Sequence, residues 1–434
     1  MMVVCMRAPT SLWLSGKEDA PRPITEDGSY DVAIVGGGIV GISVAYHLRE
    51  SGLRVCVLEA GTIGSGSTGM SGGFVTPSTT FDAYELIDEW GEARGTEIYA
   101  SLRTAVREIG ETVRRENIAC DYNVCGAFYY AAEPSHFRRL AKEAATLTRM
   151  GILATLIPPG DAALPARGMF GALRTSDDAA MDPARFVRGL AQKIGNADLF
   201  TGTRVVGIIK QGNGYALKVQ GGVTVRAERV VVATNSWSLA SAVAGHAVPY
   251  ASCIAIASPH ERFAHPAWRG ELMWDTYGTY HYLRELPDGR MLIGGEDDFF
   301  GPRHDASLSP QRASHLMHTL GTLFPSTRFE YQSGWRGSLA YPLDGLPVIH
   351  SRDGVHTLVT DGLPFGWLIG RVAAERIVSG RSDYDHLYDA GRDFGMLRNV
   401  LIRAPIPAAL KRLMLKIGVA LYRAWYLMDE SVKH

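Results

Sequence analysis

Apolar residues along this chain fall into short blocks that switch between two periods. Residues 31–35 read as a buried strand, 39–49 repeat at helical spacing, and 54–58 form a second apolar strand that ends in Glu59. Glycines separate the first strand from the helix, so the order predicts a strand–helix–strand crossover. Residues 82–116 place Leu86, Ile87, Trp90, Leu102, Val106, Ile109 and Val113 at helix-like spacing, and 136–150 form another amphipathic helix. Residues 127–131 read as a strand. Asp182 as cap and Pro183 at the first position start a helix over 184–194. Short strands follow at 205–210, 215–219 and 223–227, and the apolar strand 230–233 runs into Thr234-Asn235-Ser236-Trp237. That return of a strand–turn–helix pattern suggests one nucleotide domain built from separated segments.

From 249 to 295 the period becomes two, with strands at 252–258, 279–286 and 290–294 and a hairpin turn at Pro287-Asp288-Gly289. Alternation places Tyr280, Tyr282 and Arg284 on one face of that sheet and His281 and Leu283 on the other. A helix at 309–323, strands within 334–350 and 355–362, and a helix from about 366 to 379 complete the pattern.

The first crossover carries chemistry. Gly36, Gly38 and Gly41 form G-x-G-x-x-G between strand and helix, with Ile39 and Val40 in the first helical turn. One glycine makes the tight turn, one lets backbone approach a pyrophosphate, and one lets helix pack on strand. The helix N-terminus turns N–H groups and a positive dipole end to the phosphates. Glu59, followed by Ala60, is placed to accept hydrogen bonds from ribose hydroxyls. A bare glycine-rich turn would lack the strand before, the helix after and the acid at that distance. The chain is expected to bind an adenine dinucleotide. The next segment, 61–77, is rich in Gly, Ser and Thr, and its position favours contact with the cofactor over a free surface loop.

Bulk properties narrow the class. The chain has 434 residues, enough for about two to three domains, with 46% hydrophobic and 21% charged residues and a net charge of −1. No global field favours nucleic acid. Cys5, Cys56, Cys120, Cys125 and Cys253 form neither a disulfide framework nor a metal-ligand spacing. No apolar run reaches the roughly 18 residues of a membrane span, and residues 1–29 lack a signal-peptide pattern. These readings predict a cytoplasmic protein with reduced thiols.

Six pieces in order resemble the D-amino-acid-oxidase-like family of FAD-dependent oxidoreductases. They are the GGGIVG loop with Glu59; GSTGMSGGF at 66–74; Thr203-Arg204-Val205; VVVATNSWS at 230–238; YLRELPDGRMLIGGEDD at 282–298; and WRGSLAYPLDGLPVIH at 335–350 with TDGLPFGWLIGRVAAERIVSG at 360–380. The leader SLWLSGKEDAPRPITEDGSYDV is similar to that of the branch containing gamma-glutamylputrescine oxidoreductases. The resemblance implies an α/β fold (α+β overall), with an FAD-binding Rossmann-like domain built from discontinuous segments and a substrate domain containing an antiparallel sheet. The expected division is an N-terminal arm at 1–29, an FAD-binding domain at 30–85, 170–240 and 335–385, a substrate domain at 86–169 and 241–334, and a helical extension at 386–434. The implied cofactor contacts are Gly36, Gly38, Ile39, Val40, Gly41, Glu59 and Ala60; Ser67, Thr68, Ser71, Gly72 and Gly73; Val205, Ala233, Thr234 and Trp237; and Gly337, Gly362, Pro364, Phe365 and Gly366.

The family implies oxidation of the C–N bond of an amino acid or small amine. Hydride passes to flavin N5, the imine hydrolyses, and O2 or a respiratory acceptor reoxidises the flavin. No general base is required, and the motifs assign no catalytic residue. Relatives that tether FAD do so through a cysteine near 335–345, whereas no cysteine follows Cys253 here, so non-covalent FAD is expected. Two departures fall where flavin and substrate should meet: Met70-Ser71 replaces the branch's usual Arg-Asn, and Leu363-Pro364-Phe365-Gly366 replaces its usual glycine-rich turn. Pocket candidates are Met70, Tyr280, Tyr282, Arg284 and Arg336, the arginines because a planar fork suits a carboxylate. Each also reads as a core residue or a surface ion pair.

Two other functions share these motifs. An NAD-dependent dehydrogenase would use the same glycine loop, and a flavoprotein acting on a C–O substrate, or without amine turnover, would keep the whole pattern. Lys411, Arg412, Lys416 and Arg423 share one arc of a helix within 404–428, and Leu413, Met414, Ile417, Leu421, Trp425 and Met428 lie opposite. Such a helix packs on the enzyme, joins a dimer or lies on the inner membrane face.

Overall fold

The computed structural model describes residues 11–15, 20–77, 81–237, 247–261, 263, 267–277, 280–298, 306–342 and 344–392. The basic helix read within 404–428 lies outside the described residues, as does the side chain of Trp237. The fold is mixed α/β.

The first sheet contains β1 (Gly28–Val35), β2 (Val55–Leu58), β9 (Asp198–Phe200), β10 (Val205–Gln211), β11 (Gly214–Val219), β12 (Thr224–Val232), β18 (Val348–Arg352) and β19 (Val355–Val359). Its centre is parallel, in the order β9-β2-β1-β12-β19. Parallel strands are buried on both faces, which is why β2 and the end of β1 are continuous apolar runs. β12 is one strand where the sequence predicts two. Its first half pairs antiparallel with β11, and Val230–Val232 pair parallel with β19. The polar Glu228-Arg229 step marks a change of partner, not a break.

The smallest sheet is β3 (Phe74–Val75), β8 (Ala179–Ala180) and β4 (Asn123–Val124), with β8 central. The third sheet contains β5 (Ala127–Tyr130), β6 (Ala154–Ile157), β7 (Ala172–Thr175), β13 (Ala247–Pro259), β14 (Leu272–Asp275), β15 (Tyr282–Glu285), β16 (Met291–Asp298) and β17 (Phe329–Pro342). Its order is β17-β13-β16-β15-β14-β5-β7-β6, antiparallel except at β14–β5.

The helices are α1 (Ile39–Leu48), α2 (Ala83–Trp90), α3 (Glu92–Arg115), α4 (Phe137–Arg149), α5 (Pro183–Ala191), α6 (Pro310–Leu323), α7 (Leu363–Ser379) and α8 (Asp385–Tyr388). The long helix expected over 82–116 is two. Gly91 takes φ 82°, a left-handed value that ends α2, and a capping box of Asp82 and Glu85 starts it. α7 starts at Leu363, earlier than expected, because Gly362 turns the chain at φ 86° and Pro364 fits the first turn. α1 and α7 pack closely: a Cβ on Gly366 would lie 2.7 Å from Ile39, and one on Gly370 2.5 Å from Ser43. This contact brings the start of α7 beside the start of α1.

Candidate active site

The glycine cradle forms at the C-terminal end of β1. Gly36 takes φ 111° and donates its N–H to Leu58 O at 3.0 Å. A Cβ on Gly41 would stand 1.9 Å from Gly36 O, and one on Gly36 2.6 Å from Ala233 O, so both positions require glycine. α1 begins at Ile39 with no cap from Gly38, and Ile39 N donates to Thr68 Oγ1 at 3.0 Å. The Glu59 carboxylate is held by two backbone amides, Gly37 N at 2.7 Å and Gly61 N at 2.6 Å. That grip fixes the acid at the strand end and leaves lone pairs for further donors. Thr203 N donates to Glu59 O at 2.8 Å, which brings the 203–205 segment with Val205 beside this strand end. Ala60 is exposed there.

The loop after Glu59 is pinned from three sides. Ser67 Oγ donates to Ser338 O at 2.5 Å and Trp335 Nε1 to Met70 O at 2.9 Å. Gly337 touches the same residue, since a Cβ there would lie 2.9 Å from Met70 Cβ. From below, Ser11 Oγ bonds Gly69 O, and Trp13 Nε1 donates to Ser71 O at 2.7 Å. Gly73 takes φ 74°, with Gly72 just before it under the Tyr282 ring. The N-terminal strap is a contact that sequence reading passed over. Its signal was the apolar triplet Leu12-Trp13-Leu14 just ahead of a polar arm.

Arg284 forms the third side. It is 3% exposed, donates to Gly73 O at 3.3 Å and Met181 O at 3.0 Å, and lies 5.1 Å over the Trp13 ring. Burial pulls its pKa down to about 10, against the weaker opposing influence of Cys125, Asp182 and Asp121. The guanidinium clamps backbone through its two terminal nitrogens, and its Nε is buried without a hydrogen-bond partner among the described residues.

Pairing registers settle which face of the third sheet meets the loop. Tyr250, Ser252 and Ile254 of β13 stand level with Leu339, Gly337 and Trp335 of β17. Ile254 also pairs with Gly294, and Gly294 with Tyr282. These residues share the loop's side, and Ser252 Oγ lies 3.2 Å from the Tyr282 hydroxyl. Arg336 pairs with Cys253 and therefore stands on the other face, where it meets Asp298 at 3.0 Å. Arg336 is thus separated from Met70 and Tyr282, contrary to its reading as a pocket candidate. His281 joins Asp275 at 3.0 Å, and His350 lies in the middle of β18, level with Thr357, in the other sheet.

Tyr280 packs on Tyr282 with ring centroids 5.9 Å apart and is 42% exposed. Yet burial is the leading cause of the upward shift of its hydroxyl. Tyr280 and Tyr282 together form an aromatic wall beside Gly72 of the loop. Two more groups belong to this wall and were missed in the sequence. The Tyr250 hydroxyl donates to Asp361 Oδ2 at 2.6 Å, across 111 residues of chain. Asp361 immediately precedes Gly362 and the start of α7. Of the α7 candidates, Pro364 and Gly366 are buried at its first turn, while Phe365 turns its ring onto Tyr388 at 6.1 Å. That ring fills core.

The cradle also contains unsatisfied polar atoms. Among the described residues, Asn235 Oδ1 and Ser236 Oγ are buried without a hydrogen-bond partner in the turn after Ala233 and Thr234, and Asn235 takes φ 47°. Thr62 Oγ1, near Glu59 in sequence, is likewise orphaned. Buried orphans of this kind call for a polar ligand.

A profile of the DAO family, FAD dependent oxidoreductase, matches residues 31–376. The chain belongs to this family. It is therefore an FAD-dependent enzyme, and FAD is its cofactor. This DAO-family oxidoreductase is 24% identical to the probable oxidoreductase OrdL of Rhizobium meliloti (strain 1021), over 73% of this chain and 74% of that protein. It is also 24% identical to the glycine oxidase of Geobacillus kaustophilus (strain HTA426), over 74% and 84% of the two chains. A shorter match, 35% identical, covers 24% of this chain and 25% of the gamma-glutamylputrescine oxidoreductase of Escherichia coli (strain K12). Among solved structures, glycine oxidase from Geobacillus kaustophilus superposes with a TM-score of 0.71 at 22% identity, covering 85% of this chain and all of that one. L-proline dehydrogenase from P. horikoshii gives 0.68 at 21%, covering 83% and 96%. The orphaned atoms, the glycine walls and the α1 N-terminus fit the ADP half of FAD. Among the described residues no helix is long and apolar enough to cross a membrane.

Proposed function

We propose that this enzyme oxidises the C–N bond of an amine or amino acid, giving an imine that water hydrolyses. The observation that carries the reading is the double use of the 67–73 loop. One side of it caps α1 through Thr68, and the other is bonded to β17 through Met70 and Ser67. A ligand running along α1 thus ends against the Tyr250–Tyr282 face. When bound, FAD supplies a two-electron acceptor.

In this reading Gly36, Gly38, Gly41 and the α1 N-terminus receive the pyrophosphate, Glu59 the ribose, and Asn235 and Ser236 further polar atoms of the dinucleotide. Tyr282, Tyr280 and Met70 wall the substrate side and keep water from the reacting carbon. Holding donor carbon and acceptor in line in a dry cleft supplies much of the acceleration. No cysteine follows Cys253, which supports non-covalent attachment. The activities for which glycine oxidase and gamma-glutamylputrescine oxidoreductase are named support C–N over C–O chemistry for this chain.

Anaerobic mixing with secondary amines, polyamine derivatives and D- and L-amino acids tests it. A substrate should bleach the flavin and release a carbonyl product. Bleaching only by hydroxy acids or alcohols would replace the reading with C–O oxidation.

A further inference from the structure

We propose that the Asp361 carboxylate is the counter-charge for a cationic amine, so that this enzyme takes alkylamines and polyamine-type substrates in preference to α-amino acids. The inference rests on the C–N reading above and narrows its substrate class.

The first ground is an unanswered negative charge. Asp361 accepts the Tyr250 hydroxyl at 2.6 Å, and among the described residues no lysine, arginine or histidine forms an ion pair with it. Burial is the main influence on its carboxyl and raises its pKa, with no cation among the opposing causes. An enclosed carboxylate without a cation is costly, and a ligand that brings the charge removes the cost. The second ground is the fate of the arginines. Arg284 is spent on Gly73 O and Met181 O, and Arg336 stands on the far face with Asp298. Neither presents a fork to a substrate carboxylate. The third is the wall itself. Tyr250 and Tyr280 both feel the Asp361 charge, and Tyr280, 42% exposed, packs its ring on Tyr282 with centroids 5.9 Å apart. Aromatic faces beside a carboxylate attract an ammonium group and offer nothing to an anion.

The contact also handles the proton that C–N oxidation must lose. An ammonium N–H breaks as an O–H forms on Asp361, leaving a neutral amine and a neutral acid. A purely structural role competes with this: an acid just before α7 favours the helix dipole. That role would affect stability without affecting which ligands bind.

The experiment uses the full-length, FAD-loaded protein and two probes that cannot be turned over. tert-Butylamine is cationic near neutral pH and has no hydrogen on the carbon bearing nitrogen. Acetate is the anionic probe. Binding is read as a saturable shift of the flavin absorption bands. The expected result is saturable binding of tert-butylammonium and none of acetate. Asp361→Asn should raise the Kd for the amine about tenfold or more, Asp361→Glu should restore most of it, and Tyr250→Phe should give a smaller loss. If Asp361→Asn does not fold, the Tyr250→Phe loss carries the test. Binding of acetate in place of the amine, binding of neither, or an unchanged Kd in both variants would overturn the proposal. The outcomes separate the two readings. Amine binding with no bleaching by any amine or amino acid sinks the C–N reaction alone, and bleaching by amino acids with acetate binding sinks only the amine preference.

Discussion

The Thr68 hydroxyl accepts the backbone N–H of Ile39 at 3.0 Å, so a loop residue caps the helix that starts the glycine cradle. This one bond ties the loop after Glu59 to the start of the glycine cradle. Thr68 is buried, and its removal leaves a helix-start donor without a partner. Thr68→Val should lower stability by about 1–2 kcal/mol and weaken FAD binding, while Thr68→Ser keeps the cap. Thermal unfolding with and without added FAD measures both effects.

Gly41 faces the harder constraint. Its Cβ would meet Gly36 O at 1.9 Å, and backbone cannot yield as a flexible side chain does. Gly41→Ala should purify without FAD and should not regain it on soaking. Gly321 in α6 is the control, because a Cβ there meets nothing within 4 Å. Gly321→Ala should retain FAD and gain about 0.5–1 kcal/mol of stability. FAD released on denaturation, together with circular dichroism of both variants, checks the contrast.

Trp13 connects the strap to the loop through a hydrogen bond to Ser71 O at 2.7 Å and a face against Arg284. Trp13→Phe keeps the ring and loses the bond, for about 1 kcal/mol. Trp13→Ala loses both and opens a cavity, for about 3 kcal/mol or more. The rate of FAD loss on dilution should rise in that order.

Two histidines set an acid limit on stability. Burial, aided by nearby arginines, lowers the pKa of His47 and of His356 to about 4 from 6.5. Both are neutral in the folded protein and bind protons first in the unfolded chain. The stability they lend is complete above pH 6.5 and is lost as pH falls towards 4. For His356, which is the better buried, the loss is at most about 3 kcal/mol. His356→Gln should flatten the fall of the unfolding midpoint across that window, and an unchanged slope would refute the assignment.

Local signals carried the first crossover into view. Gly36, Gly38 and Gly41 act on neighbours within a few residues, and the switch of period around them is visible in one short stretch. Gly91 ended a helix whose spacing ran straight through it, because a positive φ leaves no mark on periodicity. Arg284 and Arg336 show a different limit. Alternation sorts residues into two faces within a strand, but the pairing of β13 with β17 decides which face meets the loop. The Tyr250–Asp361 bond joins residues 111 apart, and neither stands out until the fold brings them together.

The central claim is that the β1–α1–β2 unit and the loop after it hold FAD. Quantifying flavin released from the purified full-length chain tests it most directly. The account predicts a yellow protein carrying close to one FAD per chain, with the colour lost in Gly41→Ala. A colourless wild-type protein that takes up no flavin when soaked with FAD would contradict it.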